Sequence, residues 1–450
     1  MKKQKFLLIA LIGLLLLLCS VPARAAGMNL VRDEEIERDM KIMCTPVFEQ
    51  AGVSPQTVRF VLVEDDELNA FVAGGQNIFV NTGLILKTGE PMELVGVVAH
   101  ETGHIALGHL FRSQEMMEDY SMQALLAGAV GIVAGIGARS GEAGVAAAAA
   151  GQGMALRDAL GHSRTQEASA DQAGVRFLEG ANLPVTGMEH FMEKLEGQEL
   201  LPEGEQSEYV RDHPLTQDRV DFLKHAAEDQ AARGMPRVPA GWAEMHSRIK
   251  AKLTGYLYPD HALQDRSETT DARYARAIAW YRKGQIPKSM PLLDELTAAE
   301  PQNPYFYELK GQALFEEGHV DDSIPAYAKA VALLPRAGLI RAAYGRSLLE
   351  SKNGGGARVE EAVRQLRLSL DTEPESSSTW HGLAVGYGRL GQEGQSRLAL
   401  AEEYVLEGKI DLAKQEAQLA MKSLPPGSPA YLRAEDLLSA EKKVKKPRRQ

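Results

Sequence analysis

The fold class the sequence predicts is mainly α: an α+β domain with a small β-sheet, followed by a solenoid of helix pairs. Three observations predict it. Helical spacing of apolar residues dominates the chain, two short β-branched segments lie early, and a thirty-four-residue period sets in after residue 270. At 450 residues the chain is long enough for two or more domains. Its 44% hydrophobic and 25% charged composition excludes a disordered or collagenous chain. With 50 basic against 61 acidic residues, a net −11, no generally basic surface is available for nucleic acid. Two cysteines exclude a disulfide-stapled scaffold.

Residues 1–25 read as a cleaved signal peptide. Lys2, Lys3 and Lys5 precede the apolar run 6–19, and Ala23-Arg24-Ala25 supplies small residues at cleavage spacing. That run is short for a bilayer span, so an uncleaved anchor is the weaker alternative. Leu18 before Cys19 stands where lipoprotein processing wants a small residue, which favours cleavage after Ala25. Cleavage removes Cys19 and leaves Cys44 with no partner for an intramolecular disulfide. The expected address is the periplasm, with association with the outer membrane left open.

Residues 29–52 read as one helix with apolar positions at Ile36, Met40, Met43, Cys44 and Val47. Residues 58–63 (VRFVLV) and 77–80 read as strands, the second following Gly74-Gly75. A helix starts near Glu90, with Pro91 in its first turn, and reaches about Gly108. The Ala/Gly-rich runs 124–138 (ALLAGAVGIVAGIGA) and 143–150 allow two readings. They form either a buried helical hairpin or a flap that touches substrate or a membrane surface. Another helix covers about 163–179, and others follow to about residue 253. Residues 255–270, polar and without period, read as a linker.

The solenoid rests on Tyr307, Gly311, Leu314, Gly318, Tyr327, Ala330 and Pro335, with Ala277, Trp280, Gly284, Leu293 and Pro301 in the same register one unit earlier. This resembles the tetratricopeptide repeat, in which small residues let two antiparallel helices approach. The register loosens at residues 354–356, returns at Trp380, Leu383, Tyr387 and Gly391, and fades after Gly408. Residues 430–440 would form a capping helix. The tail 442–450, with six basic residues in KKVKKPRR, is a solvated end or a contact for anionic lipid or an acidic partner. The domains expected are thus an α+β domain at 26–254, the linker at 255–270 and repeats at 271–441.

Chemistry concentrates in residues 98–110 (VAHETGHIALGHL). In this H-E-x-x-H, His100 and His104 lie about 40° apart on one helix face and can grip one metal ion. Glu101, about 100° round, stands beside the metal as a general base. Leu107 and Leu110 occupy the positions where a metzincin needs Gly and His. His109 is nine residues from His100, about 180° round a continuous helix, and is expected on the other face. In residues 164–174 (RTQEASADQAG), Glu167 and Asp171 share a face. Either Glu167 completes a two-His, one-Glu site with Asp171 fixing a histidine tautomer, or the pair is a solvated acidic face.

His100–His109, Glu167–Asp171 and residues 69–84 (NAFVAGGQNIFVNTGL) together resemble the HtpX-like and CAAX-prenyl-protease-like zinc endopeptidases. The resemblance implies a zincin-like (gluzincin) domain with one Zn2+ per chain, held by His100, His104 and Glu167. It implies Glu101 as the catalytic base, and a strand edge for extended substrate at Ala73, Gly74, Gly75 and Ile78. In His213-Pro214 and Arg219 it implies a resting-state zinc ligand or gate at His213 and an oxyanion-steadying role for Arg219. Cysteines that pair in some such relatives have no counterpart here. The exported, repeat-bearing arrangement is similar to the periplasmic branch of that family. From it follow substrates among unfolded or misassembled envelope proteins, docking on outer-membrane assembly machinery through the repeats, and peripheral membrane contact. A second reading is a periplasmic chaperone-like scaffold with a latent or structural zinc site. A third, an integral membrane protease, requires residues 124–138 to insert.

Overall fold

The computed structural model describes residues 29–73, 75–109, 164–202, 205–353 and 355–444. The leader, both Ala/Gly-rich runs, Gly74 and the last six residues lie outside the described residues.

A four-stranded sheet opens the fold: β1 (Leu30–Val31), β2 (Arg59–Val63), β3 (Ala70–Ala73) and β4 (Asn77–Asn81). Its order is β1-β2-β4-β3, with β2 and β4 parallel and the other pairs antiparallel. Residues 29–52 are therefore not one helix. Leu30 and Val31 pair with Val63 and Leu62, and helix α1 (Glu34–Gln50) begins after Asp33, whose carboxylate accepts the Ile36 N–H. Its expected apolar face, Ile36 to Val47, is buried against the sheet and helices.

After α2 (Thr82–Lys87) comes α3 (Pro91–Leu107), the helix of the H-E-x-x-H motif, with Pro91 in its first turn and Gly108 at its C-cap. It is buried along most of its length, and two glycines make that possible. A Cβ on Gly96 would meet the Met188 backbone nitrogen at 2.8 Å, and one on Gly103 the Ala170 carbonyl oxygen at 2.8 Å. Gly103 thus admits α4 (residues 164–180) to near backbone contact. Around them pack α5 (Thr186–Leu195), α6 (Glu208–Asp212), α7 (Gln217–Arg233) and α8 (Trp242–Leu257).

The segment 255–270 is largely helical rather than an irregular linker. Helix α8 runs to Leu257, and α9 (Pro259–Gln264) follows at once, burying Ala262 against Ala275 and Ala279. Two small alanine contacts are too few to leave a readable period. Ten helices then succeed one another: α10 (Thr270–Arg282), α11 (Ile286–Ala299), α12 (Pro304–Glu316), α13 (Val320–Leu333), α14 (Gly338–Glu350), α15 (Gly356–Ser369), α16 (Ser377–Arg389), α17 (Glu393–Leu406), α18 (Ile410–Ser423) and α19 (Pro429–Val444). They form a solenoid of tetratricopeptide type. Gly311 has the expected role, since a Cβ there would sit 2.9 Å from the Tyr327 ring on the paired helix. Helix α19 covers the segment expected to cap the array.

A buried polar seam joins the solenoid to the first part of the chain. The Lys252 ammonium on α8 reaches Asp33 at 2.8 Å and Glu35 at 3.2 Å, and Glu35 accepts the Tyr274 hydroxyl at 2.8 Å. Arg248 pairs with Asp271 at 2.9 Å and Glu300 at 3.2 Å. Farther along, Arg32 meets Glu373 at 2.7 Å. Among the described residues, no helix is long and apolar enough to cross a membrane.

Candidate metal centre

Helix α3 presents His100, Glu101 and His104, all buried. The close approach at Gly103 and Ala170 sets Glu167 and Asp171, one turn apart on α4, directly against them. The His100 and His104 Nε2 atoms lie 3.1 Å apart. Glu167 Oε2 is 3.2 Å from His100 Nε2, and Oε1 is 3.4 Å from His104 Nε2. His213, at the C-cap of α6, brings Nδ1 to 3.3 Å from His100 Nε2 and 3.0 Å from Glu167 Oε2. One potential ligand atom from each of His100, His104, Glu167 and His213 falls within 4.8 Å of the others.

Asp171 lies behind this group. Its Oδ1 accepts the His100 Nδ1–H at 2.8 Å, which turns the Nε2 atom toward the cluster. The Arg219 guanidinium on α7 grips the same carboxylate with Nε at 2.6 Å and Nη2 at 3.0 Å. Its Nη1 is 3.2 Å from Glu167 and donates to the Pro214 carbonyl at 2.9 Å. Those contacts engage all three guanidinium nitrogens and hold Arg219 against the centre. Arg219 positions Asp171, Glu167 and the 213–214 turn.

Charge makes the same point. Burial works to lower the His100 imidazole, but hydrogen bonds to Asp171 and Glu167 prevail and raise it to about 10. Burial likewise opposes ionisation of Glu167, yet His100 and His213 hold its carboxyl well below the ordinary range. The cluster calls for positive charge at its centre. Glu101 differs, because burial pushes its carboxyl up. Both Glu101 oxygens and His213 Nε2 are buried without a hydrogen-bond partner, and the nearest approach between them is 3.5 Å. Convergent nitrogen and oxygen lone pairs, with buried polar atoms left unsatisfied beside them, suit a divalent cation.

The expected strand edge needs one correction. Ile78 belongs to the interior strand β4, paired with Phe60 on one side and Val72 on the other, and is fully buried. Among the described residues the edges of the sheet are β1 and β3, and β3, ending at Ala73, is the one beside the candidate centre. Gly75 lies in the turn after it, at φ +98°. Here β3 lies beside α3, and the neighbouring Leu68 carbonyl accepts the Tyr209 N–H at 3.2 Å, tying this edge to the helix that carries His213.

Two residues of the centre escaped sequence reasoning. Tyr209 stacks at 4.6 Å between ring centroids on His213, four residues on, and that spacing was its available signal. His109 does not lie on the far face. Its Nδ1 is 3.0 Å from His104 Nδ1, because Gly108 leaves the helix at φ +66° and turns the chain back.

This fold and this centre are those of a metallopeptidase. Residues 31–227 match the model of Peptidase family M48, so the chain carries a domain of that family and is a metalloprotease. The likeness extends through the repeats to the beta-barrel assembly-enhancing protease of Escherichia coli (strain K12), 25% identical over 377 residues, 82% of this chain and 75% of that protein. The protein of the same name from Yersinia pestis is 26% identical over 375 residues, 79% of this chain and 72% of its own length. Among solved structures, MamA MSR-1 C2 aligns with 36% of this chain and 97% of its own, at 16% identity and a TM-score of 0.30.

Proposed function

We propose that the chain is an exported zinc endopeptidase of the cell envelope, with Glu101 as general base. The observation that carries this reading is the meeting of His100, His104 and Glu167 with Glu101 alongside. Ligands about 2.0–2.1 Å from a tetrahedral zinc stand about 3.3 Å apart. The nitrogen and oxygen atoms here are spaced at 3.1, 3.2 and 3.4 Å, which suits that ion. Zinc, when bound by these three residues, supplies Lewis-acid polarisation of the scissile carbonyl and activation of water.

The remaining work falls to the chain's own groups. Glu101, raised by burial and free of hydrogen bonds, takes a proton from the attacking water and returns it to the leaving amine. Asp171 keeps the His100 proton on Nδ1. Among the described residues no strand pairs with the outer side of β3, and an extended substrate adds there as a strand. His213, within the cluster, takes the position that water or substrate needs, so this arrangement is a resting one.

Envelope substrates and a role in outer-membrane protein quality control are supported by the names of the relatives and the leader-like residues 1–25. Docking on assembly machinery falls to the repeats. Metal analysis beside a casein assay tests the enzyme. Wild type should hold near-stoichiometric zinc, Glu167→Ala much less, and Glu101→Gln should keep zinc while losing about 100-fold or more of cleavage. Cleavage surviving in Glu101→Gln overturns the base assignment. Full rescue of envelope defects by that variant would favour the chaperone-like scaffold.

A further inference from the structure

A cavity of ≈ 620 Å³ opens where the first domain meets the solenoid, between α1, α8 and the turn that joins α11 to α12. Four carboxylates line it, those of Glu35, Asp39, Glu244 and Glu300, against the single cation Arg248. Three of the four are already engaged. Glu35 holds the Lys252 ammonium at 3.2 Å and accepts the Tyr274 hydroxyl at 2.8 Å. Glu244 and Glu300 each hold Arg248 at 3.2 Å.

Asp39 is the exception. It is only 7% exposed, yet among the described residues its carboxylate makes no hydrogen bond or ion pair. Lys252 directs its ammonium to Asp33 and Glu35 instead. Arg38, its neighbour on α1, stands about 100° round the helix. Burial is the largest influence on the Asp39 carboxyl and raises it to about 7. An acid so placed has lost most of its water without gaining a partner, and a cation entering from the cavity would supply one.

We propose that this cavity binds an alkylguanidinium group, its planar fork on the Asp39 carboxylate and its stem along the wall. The wall suits such a stem, because Met245, Pro301 and Pro304 are apolar and Tyr305 adds an aromatic ring for the cation. A guanidinium donates to both oxygens of one carboxylate in parallel, and it is more weakly hydrated than an ammonium. A bare metal ion suits the cavity poorly. Among the described residues, no three His, Cys, Asp or Glu ligand atoms converge there. The group has two sources, an arginine side chain of a polypeptide and a free guanidine. The binding needs no metal and rests on nothing at the peptidase centre.

The test uses the full chain as Glu101→Gln, so that peptide stays intact, at about pH 8 where Asp39 is mostly ionised. Two fluorescein-labelled pentapeptides are titrated by anisotropy, one with a central arginine and the other with citrulline, its uncharged isostere. The arginine peptide should bind about ten-fold or more tighter. Adding Asp39→Asn should bring it to the level of the citrulline peptide and leave the latter unchanged. Glu228→Gln removes the same charge from an exposed position on α7 and should change neither peptide. Butylguanidinium that displaces the arginine peptide at that peptide's own affinity supports the site with a free guanidine as its ligand. Displacement about ten-fold or more weaker supports it with a polypeptide arginine. Equal binding of the two peptides, a difference that survives Asp39→Asn, or an equal loss in Glu228→Gln overturns the proposal. So does a lysine peptide that binds as tightly as the arginine one.

Discussion

His109 Nδ1 lies 3.0 Å from His104 Nδ1, on the side of that ring away from His100 and Glu167. A ligand histidine holds metal best when its other nitrogen has a fixed partner, and in the proposed site the partner of His104 is His109. His109→Leu should therefore weaken zinc binding by about 10–100-fold with His100, His104 and Glu167 intact. Competition with a calibrated chelator measures it. His109→Gln, whose carbonyl can accept the same N–H, should recover most of the loss, which a merely structural role would not predict.

Gly103 should prove as sensitive as a ligand, although it touches no metal. A Cβ there meets the Ala170 carbonyl oxygen at 2.8 Å and the Ala170 Cα at 3.0 Å. Backbone cannot rotate away as a side chain can, so Gly103→Ala must push α4, and Glu167 with it, off α3. About 1–3 kcal/mol of stability should be lost. Urea unfolding of the metal-free protein reads that loss, and chelator competition should show weaker zinc binding beside it.

These two residues also mark where sequence reading succeeds and stops. His100, Glu101 and His104 were legible because a four-residue spacing means one face on any continuous helix. Glu167 and Asp171 were legible as a pair, but their meeting with α3 depends on a contact between small residues far apart in the chain, which no local period records. The His109 expectation went astray because it extended the helix through Gly108, where the chain turns. β1 and β3 were too short to leave an alternation, and β3 is what leaves Ile78 in the interior. In the solenoid the thirty-four-residue register was clear where Gly311 must meet Tyr327. It faded where α17, α18 and α19 pack through alanines such as Ala401, Ala417 and Ala420, which are too common to signal a register.

Arg219→Ala should be severe for a reason separate from chemistry. It leaves the buried Asp171 carboxylate with His100 as its remaining partner and takes one cationic contact from Glu167. Removing one partner of such a group costs about 3–5 kcal/mol. Urea unfolding of the metal-free protein should show that loss. Zinc added in excess should restore part of it, because a divalent ion at the cluster neutralises Glu167 again.

The seam between α1 and the solenoid should loosen as pH rises. Burial raises the Asp39 carboxyl to about 7, with Glu35 and Asp33 adding to the rise and Lys252 and Arg38 opposing it; Tyr305 faces it from the solenoid. Burial also raises Glu34 to about 7, with Glu373 and Glu37 adding and the Leu339 N–H and Arg38 opposing. Both groups stand above their unfolded values, so they favour the folded state most at pH below those values. That contribution declines as pH climbs and is lost above about pH 7. The urea midpoint should fall between about pH 5.5 and about pH 8.5 by an amount equivalent to about 1–3 kcal/mol. Asp39→Asn, which cannot ionise, should remove a large part of that slope. An unchanged slope in this variant would assign the pH response to other groups.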